Sequence, residues 1–204
     1  MEVNAEQITK KFGHRTVIKN LSLSVTSGQC LAIVGANGSG KTTLMRILAN
    51  LIQPTSGQVR YSIQQAIVRQ ERIFQHIGYI GPYLELYQDL TALENLRFFS
   101  KMKSLSEPLP RIRELLKQFG LWGREDEAVK TYSSGMKQRL KYIFALLGEP
   151  EALFVDEPRA NLDEPGIRTV YAALSDYKKQ RIVILATNDS DDLALADKKV
   201  AVSG

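Results

Sequence analysis

The sequence predicts an α/β fold: a core built on a mixed sheet, an antiparallel β subdomain at the N-terminus and an inserted helical subdomain. Three observations predict it. Residues 1–28 alternate apolar and polar side chains with the period of paired strands. Residues 91–148 instead carry apolar side chains at helical spacing. Around that helical stretch, short apolar runs at 31–34, 77–80, 152–155 and 181–187 alternate with helix-like segments, as strands with crossover helices do.

In chain order, Val17, Leu21, Leu23 and Val25 supply the apolar positions of the first strands, and Phe12-Gly13 and Ser27-Gly28 mark turns. The strand at 31–34 runs into a glycine-rich loop, and a helix begins near Lys41 and ends near Asn50. Residues 54–57 (PTSG) form a loop, and 57–63 alternates as a strand with Val59, Tyr61 and Ile63 on one face. Residues 64–76 read ambiguously as loop and short helix. The strand at 77–80 is broken by Gly81-Pro82. Thr91 and Glu94 form a capping box ahead of Leu93, Leu96 and Phe99. Pro108 and Pro110 punctuate the chain before a second apolar face, Ile112, Leu115, Leu116 and Phe119, which Gly120 closes. A third face, Met136, Leu140, Ile143, Phe144 and Leu147, is closed by Gly148. The last third returns to strand (152–155), helix (165–179), strand (181–187), a short helix capped by Ser190, and a strand (199–202). This gives one domain over 1–204: a core from about 1–82 and 149–204, and a helical part from about 83–148.

Composition narrows the function classes. The 204 residues are 44% hydrophobic and 24% charged, which fits an ordinary globular domain. The apolar runs are too short to span a bilayer, and no charged start with an apolar h-region suggests a leader. Little of the chain follows Val202, so no regulatory domain is expected there. Cys30, the single cysteine, permits no internal disulfide and fits a reducing cytosolic setting. The net charge of +5 is spread among interleaved acidic residues, so no nucleic-acid partner is expected.

The chemistry starts in the glycine-rich loop. Gly35, Ala36, Asn37, Gly38, Ser39, Gly40, Lys41, Thr42 and Thr43 contain G-x-x-x-x-G-K-[ST]. Glycines let the backbone wrap a phosphate, and N–H groups at the following helix N-terminus point at the anion. Lys41 reaches β- and γ-phosphates, and the Thr42 hydroxyl holds magnesium, which identifies a P-loop NTPase core binding a nucleoside triphosphate and Mg2+. ALFVDEP (152–158) delivers Asp156 to the C-terminal edge of a strand, suited to the magnesium shell. Glu157 follows, placed to orient or deprotonate a water. YSSGMKQRL (132–140) opens a helix with a Ser-Ser-Gly turn, a second anion site by the same dipole logic.

These motifs, in this order, resemble those of the ATP-binding cassette (ABC) ATPase family over residues 12–188. The resemblance implies an ATPase subunit of an ABC transporter. Phe12 matches the aromatic that stacks on adenine; a packed turn aromatic is the other reading. Ser133, Ser134 and Gly135 resemble the signature, whose usual form is Leu-Ser-Gly-Gly-Gln and whose Ser133 and Gly135 positions touch ATP bound to the opposite subunit. Asp156 and Glu157 resemble the Walker B aspartate and the catalytic glutamate, and Asn161-Leu162-Asp163 the D-loop. Two positions depart from the family. Pro82 stands at the Q-loop glutamine, and the next glutamine, Gln88, is six residues on. Asn188 replaces the histidine that senses γ-phosphate; it still donates a hydrogen bond but carries no charge.

The implied partners are ATP, a membrane-spanning permease subunit, and a second cassette in a homodimer or heterodimer. The implied location is cytoplasmic, on the inner face of the membrane. The implied permease-facing surface is 82–95, with Tyr83 and Tyr87 packing on a partner or locally. With Glu157 present, hydrolysis is expected to be retained at a reduced rate. A hydrolysis-impaired regulatory partner and a non-transport ABC ATPase are the alternatives.

Overall fold

The computed structural model describes residues 1–82, 84–105 and 108–203. Its strands are β1 (Glu2–Phe12), β2 (Arg15–Thr26), β3 (Cys30–Val34), β4 (Ser56–Ile63), β5 (Ala66–Val68), β6 (Ile77–Ile80), β7 (Ala152–Asp156), β8 (Ile182–Thr187) and β9 (Lys198–Ala201). The helices are α1 (Lys41–Leu48), α2 (Ala92–Met102), α3 (Pro108–Gln118), α4 (Ser134–Leu146) and α5 (Glu164–Lys178).

The strands form two sheets. One is antiparallel, in the order β2-β1-β4-β5; the other is parallel throughout, in the order β6-β7-β8-β3-β9. The mixed character expected from the sequence is thus divided between two sheets. The reason lies in the connections. A tight turn at Gly13 (φ 57°) joins β1 to β2, whereas each parallel neighbour is reached by a long crossover.

The parallel strands are covered on both faces, so they read as continuous apolar runs, and their alternate residues still face opposite ways. Leu153 and Val155 of β7 and Val183 and Leu185 of β8 join a core with α2 to α5. Ala152, Phe154, Ile182, Ile184 and Ala186 join a second core with α1 and the antiparallel sheet, including Val3, Ile8 and Val25. Burying one such Leu or Phe contributes roughly 1.5–3 kcal/mol.

Several local features follow from residue chemistry. Thr91 Oγ1 accepts from the Glu94 N–H, and a Glu94 carboxylate oxygen accepts from the Thr91 N–H, completing the capping box. Pro108 and Pro110 sit inside the first turn of α3 rather than ahead of it, because proline's missing N–H is no loss where the helix has no acceptor for it. Residues 64–76 resolve into β5 and a 3₁₀ turn (Gln70–Gln75), after Gln64 and Gln65 turn the chain with positive φ. Ser190 does not cap the last short helix (Asp191–Leu195): its φ and ψ are helical and its side chain makes no capping bond. Asp189 accepts from the Asp191 N–H instead, at 2.9 Å. Among the described residues no helix is long and apolar enough to cross a membrane.

Candidate functional site

The C-terminal ends of three neighbouring parallel strands build the site, as expected for ligand binding by an α/β sheet. β3 feeds the glycine-rich loop, β7 ends in Asp156, and β8, which lies between them, ends in Thr187 just before Asn188.

The loop is fixed by close packing. A Cβ on Gly35 would stand 2.4 Å from the Val202 carbonyl oxygen, and one on Gly40 would stand 2.7 Å from Val17 Cγ1. Gly40 also has φ 108°, open to glycine at little cost. No side chain occupies the N-cap of α1, so its first N–H groups stay directed at the loop. The Lys41 ammonium donates to the carbonyl oxygens of Gly35 (2.7 Å) and Ala36 (3.1 Å). The Ser39 hydroxyl is buried without a hydrogen-bond partner among the described residues. Arg15, Val17, Asn37, Gly38, Gly40, Lys41, Thr42, Thr43 and Glu157 line a cleft of about 350 Å³ here.

Across the cleft, the Thr42 hydroxyl donates to Asp156 Oδ2 at 2.7 Å. Burial pushes the Asp156 carboxyl above the usual carboxylate range, against the opposing pull of the Thr42 hydrogen bond and of Lys41. A buried carboxylate beside a hydroxyl is a hard oxygen pair that suits Mg2+, an ion that keeps several of its own waters. Among the described residues no cluster of three or more His, Cys, Asp or Glu side chains offers an all-protein metal site.

Glu157 is exposed and takes a left-handed backbone (φ 56°), which costs a non-glycine residue roughly 1–2 kcal/mol. Its N–H is held by the Ala186 carbonyl at 2.9 Å, so the carboxylate projects off the end of β7 into the cleft. Asn188 Nδ2 donates to Asn37 Oδ1 at 3.1 Å, a bridge between residues far apart in sequence. Glu157 and Asn37 also line a second cleft with Asn188, Arg159 and Asp189.

The structure therefore brings together residues 35–43, Asp156, Glu157 and Asn188, but not the Ser-Ser-Gly turn. Ser133 Oγ caps α4 by accepting from the Met136 N–H at 3.2 Å. A Cβ on Gly135 would lie 3.3 Å from the Asn161 carbonyl oxygen, so the turn abuts the Asn161-Leu162-Asp163 segment. Ser134 lines a separate cleft with Gln88, Lys137 and Asn161. Asp163 caps α5, accepting from the Gly166 N–H at 3.0 Å. Tyr132 is buried and donates to the Arg124 carbonyl at 2.6 Å; burial pushes its phenol up to about 12.

Pro82 is exposed in the turn after β6, and Gln88 Nε2 donates to the Leu86 carbonyl on the Ser134 side. Phe12 is 54% exposed at the β1–β2 hairpin and lines neither cleft at the loop; the Lys10 ammonium lies 5.1 Å from its ring centre. Tyr83 falls outside the described residues. Tyr87 is exposed and packs edge-on against Phe98 at 5.3 Å. Burial pushes the Cys30 thiol up to about 12, so it serves as an apolar filler.

Two residues were missed in the sequence. Arg15, paired across the hairpin with Phe12, reaches Gly38 O at 3.5 Å and lines the phosphate cleft. Arg159 contacts the segment after Asn188. Neither belongs to a spacing pattern that separates it from other surface arginines.

Residues 18–160 match the family model for the ABC transporter. The chain is 35% identical over 91% of its length to the uncharacterized ABC transporter ATP-binding protein YxlF of Bacillus subtilis, and spans 62% of that protein. It is 32% identical over 90% of its length to the lantibiotic transport ATP-binding protein SrtF of Streptococcus pyogenes, and spans 78% of that protein. A dimeric ATP-binding cassette in a post-hydrolysis state with ADP and Pi superposes with a TM-score of 0.86 at 25% identity, covering 98% of this chain and 94% of that one. With this match, this likeness, a phosphate loop at the end of β3 and Asp156 and Glu157 at the end of β7, the chain belongs to the ABC transporter ATP-binding family.

Proposed function

We propose that this chain is the ATP-binding and ATP-hydrolysing subunit of an ABC transporter, and that it drives a separate membrane-spanning subunit by closing head-to-tail on a second copy of itself. The observation that carries this reading is the division of the motifs. Phosphate-loop residues and Glu157 line one cleft, Glu157 and Asn37 line a neighbouring one with Asn188, and Thr42 bonds Asp156, while Ser133 and Gly135 stand apart at the N-terminus of α4. One chain thus holds two half-sites, and a second chain supplies the missing half of each.

In this reading the loop N–H groups cradle the β- and γ-phosphates, and Lys41 exchanges the Gly35 and Ala36 carbonyls for phosphate oxygens. Thr42 and Asp156 hold Mg2+, which supplies neutralisation of polyphosphate charge. The Glu157 carboxylate takes a proton from the water that attacks the γ-phosphorus, and ADP leaves as the bridging P–O bond breaks. Asn188 Nδ2 turns from Asn37 to a γ-phosphate oxygen. Ser133 Oγ and the Gly135 N–H of the second copy close the far side. Phe12 stacks on the base, with Arg15 beside it.

Turnover is slow in this reading, because Pro82 has no side-chain donor or acceptor and Gln88 is bonded on the other side. The same two features favour a second reading, a hydrolysis-impaired regulatory partner paired with a different cassette. Steady-state phosphate release by the purified chain separates them. Catalysis is expected to be measurable and to fall by about 10²–10⁴ in E157Q, the usual share of a general base. Equal release by wild type and E157Q would support the regulatory reading. Purification of the chain from detergent-solubilised membranes is expected to bring down a subunit with several apolar helices, and a lone chain would refute the transport assignment.

A further inference from the structure

Arg159 lies between Glu157 and the Asn161-Leu162-Asp163 segment, with a side chain only 24% exposed. Its Nη1 is 3.1 Å from Asp189 Oδ2 and 2.6 Å from Asp191 Oδ2, and its Nη2 is 4.0 Å from Glu164 Oε1. One guanidinium thus gathers three carboxylates, two of them within three residues of Asn188 in sequence.

The rest of that loop is pinned as well. Asp192 is buried and accepts from the hydroxyls of Thr187 and Tyr171. The Asp189 N–H donates to Thr187 Oγ1 at 2.9 Å, and the Asp191 N–H to Asp189 Oδ1 at 2.9 Å. Both neighbours of Asn188 are therefore fixed, and its own side chain reaches the phosphate loop at Asn37. Thr187 and Asp192 are anchored to β8 and α5. The anchor on the Asp189 side is Arg159, which comes from the chain that runs from Glu157 to Asn161.

We propose that Arg159 is a positioning residue: its ion pairs with Asp189 and Asp191 hold the Asn188 side chain at the phosphate cleft and tie that loop to the 157–163 segment. The inference rests on the role given to Asn188 above. Physically, Asp189 and Asp191 repel one another, and Arg159 offsets that repulsion. Its planar donor fork serves two carboxylates at once, which a lysine ammonium does less well.

The test is a cycle of R159M, R159K, N188A and R159M/N188A, read by kcat, nucleotide affinity and amide hydrogen exchange. R159M is expected to lower kcat about tenfold, a barrier change of about 1.4 kcal/mol, with nucleotide affinity within about twofold of wild type. R159K is expected to recover about half of the loss on a logarithmic scale. In the N188A background R159M is expected to cost less than about twofold, since the residue it positions is gone. Exchange at 187–191 is expected to quicken in R159M while exchange at 35–43 does not, a readout independent of turnover. An equal kcat loss in both backgrounds, or unchanged exchange at 187–191, would overturn the proposal. A kcat for N188A equal to wild type, with exchange quickened in R159M, would instead refute the catalytic role of Asn188 and leave the Arg159 tie supported.

Discussion

The phosphate loop and the Ser-Ser-Gly turn are both helix N-termini, yet they are built in opposite ways. At α1 no side chain caps the helix, three strand ends converge, and the polar groups are bonded to each other across the cleft: Lys41 to loop carbonyls, Thr42 to Asp156, Asn188 to Asn37. At α4 the Ser133 hydroxyl oxygen accepts from its own helix, leaving its O–H to donate, and a Cβ on Gly135 would meet the Asn161 backbone. The first is a binding site with most of its donors in one chain. In the function proposed above, the second gains a ligand only when another chain presents one. On that proposal the same N–H and dipole physics yields a cradle in one place and a docking face in the other.

Three substitutions break or sharpen this contrast. The largest effect is expected for K41A: titration with a fluorescent ATP analogue should show about a hundredfold weaker binding, the scale of a lost charge-assisted contact to phosphate. G135D should leave that titration within about twofold of wild type, yet lower phosphate release by about a hundredfold. An aspartate in the first turn of α4 suits the helix dipole, so folding is retained while an approaching phosphate is repelled. Equal loss of binding in the two variants would erase the distinction between the ends. A smaller effect is expected for N188H. An imidazole at this position adds reach and a protonated form, and release should rise about threefold to tenfold. No increase would remove Asn188 as a limit on turnover.

Asp156 sharpens the contrast through pH. Its folded pKa is raised by burial, so the folded chain holds this proton more tightly than the unfolded chain. Its contribution to stability therefore falls as pH rises through the window from the ordinary aspartate value to the raised one. Magnesium binding runs the other way, because it needs the carboxylate. In thermal melts, the stabilisation given by Mg2+ with ATP should fade at a higher pH than an ordinary aspartate would produce, and D156N should remove it.

Much of this was legible in the sequence because it is local. The loop residues 35–43, the Thr91–Glu94 capping box and the Ser133 turn are set by side chains within a few residues of one another. The buried strands β7 and β8 show as apolar runs because both faces are covered. What stayed hidden depends on distant partners. Ile67 and Val68 favour a strand, but three residues are too short a run to show as one; β5 exists because β4 offers an edge at Tyr61 to Ile63. The pairs Asn188–Asn37 and Arg159–Asp189 join separate strand ends, and neither residue type at those positions signals the other. The Ser190 cap failed because its backbone is already helical, which puts the hydroxyl out of line for capping. The Phe12 platform stays a sequence reading, since that ring projects from the hairpin outside the cleft residues.

The proposed function requires that ATP close two like chains over half-sites. The direct measurement is the solution mass of E157Q by light scattering, with and without ATP and Mg2+. Without nucleotide the expected mass is that of one 22.9 kDa chain. With nucleotide it should double, and G135D in the same background should return it to one chain. A single-chain mass for E157Q already saturated with ATP would contradict this closure.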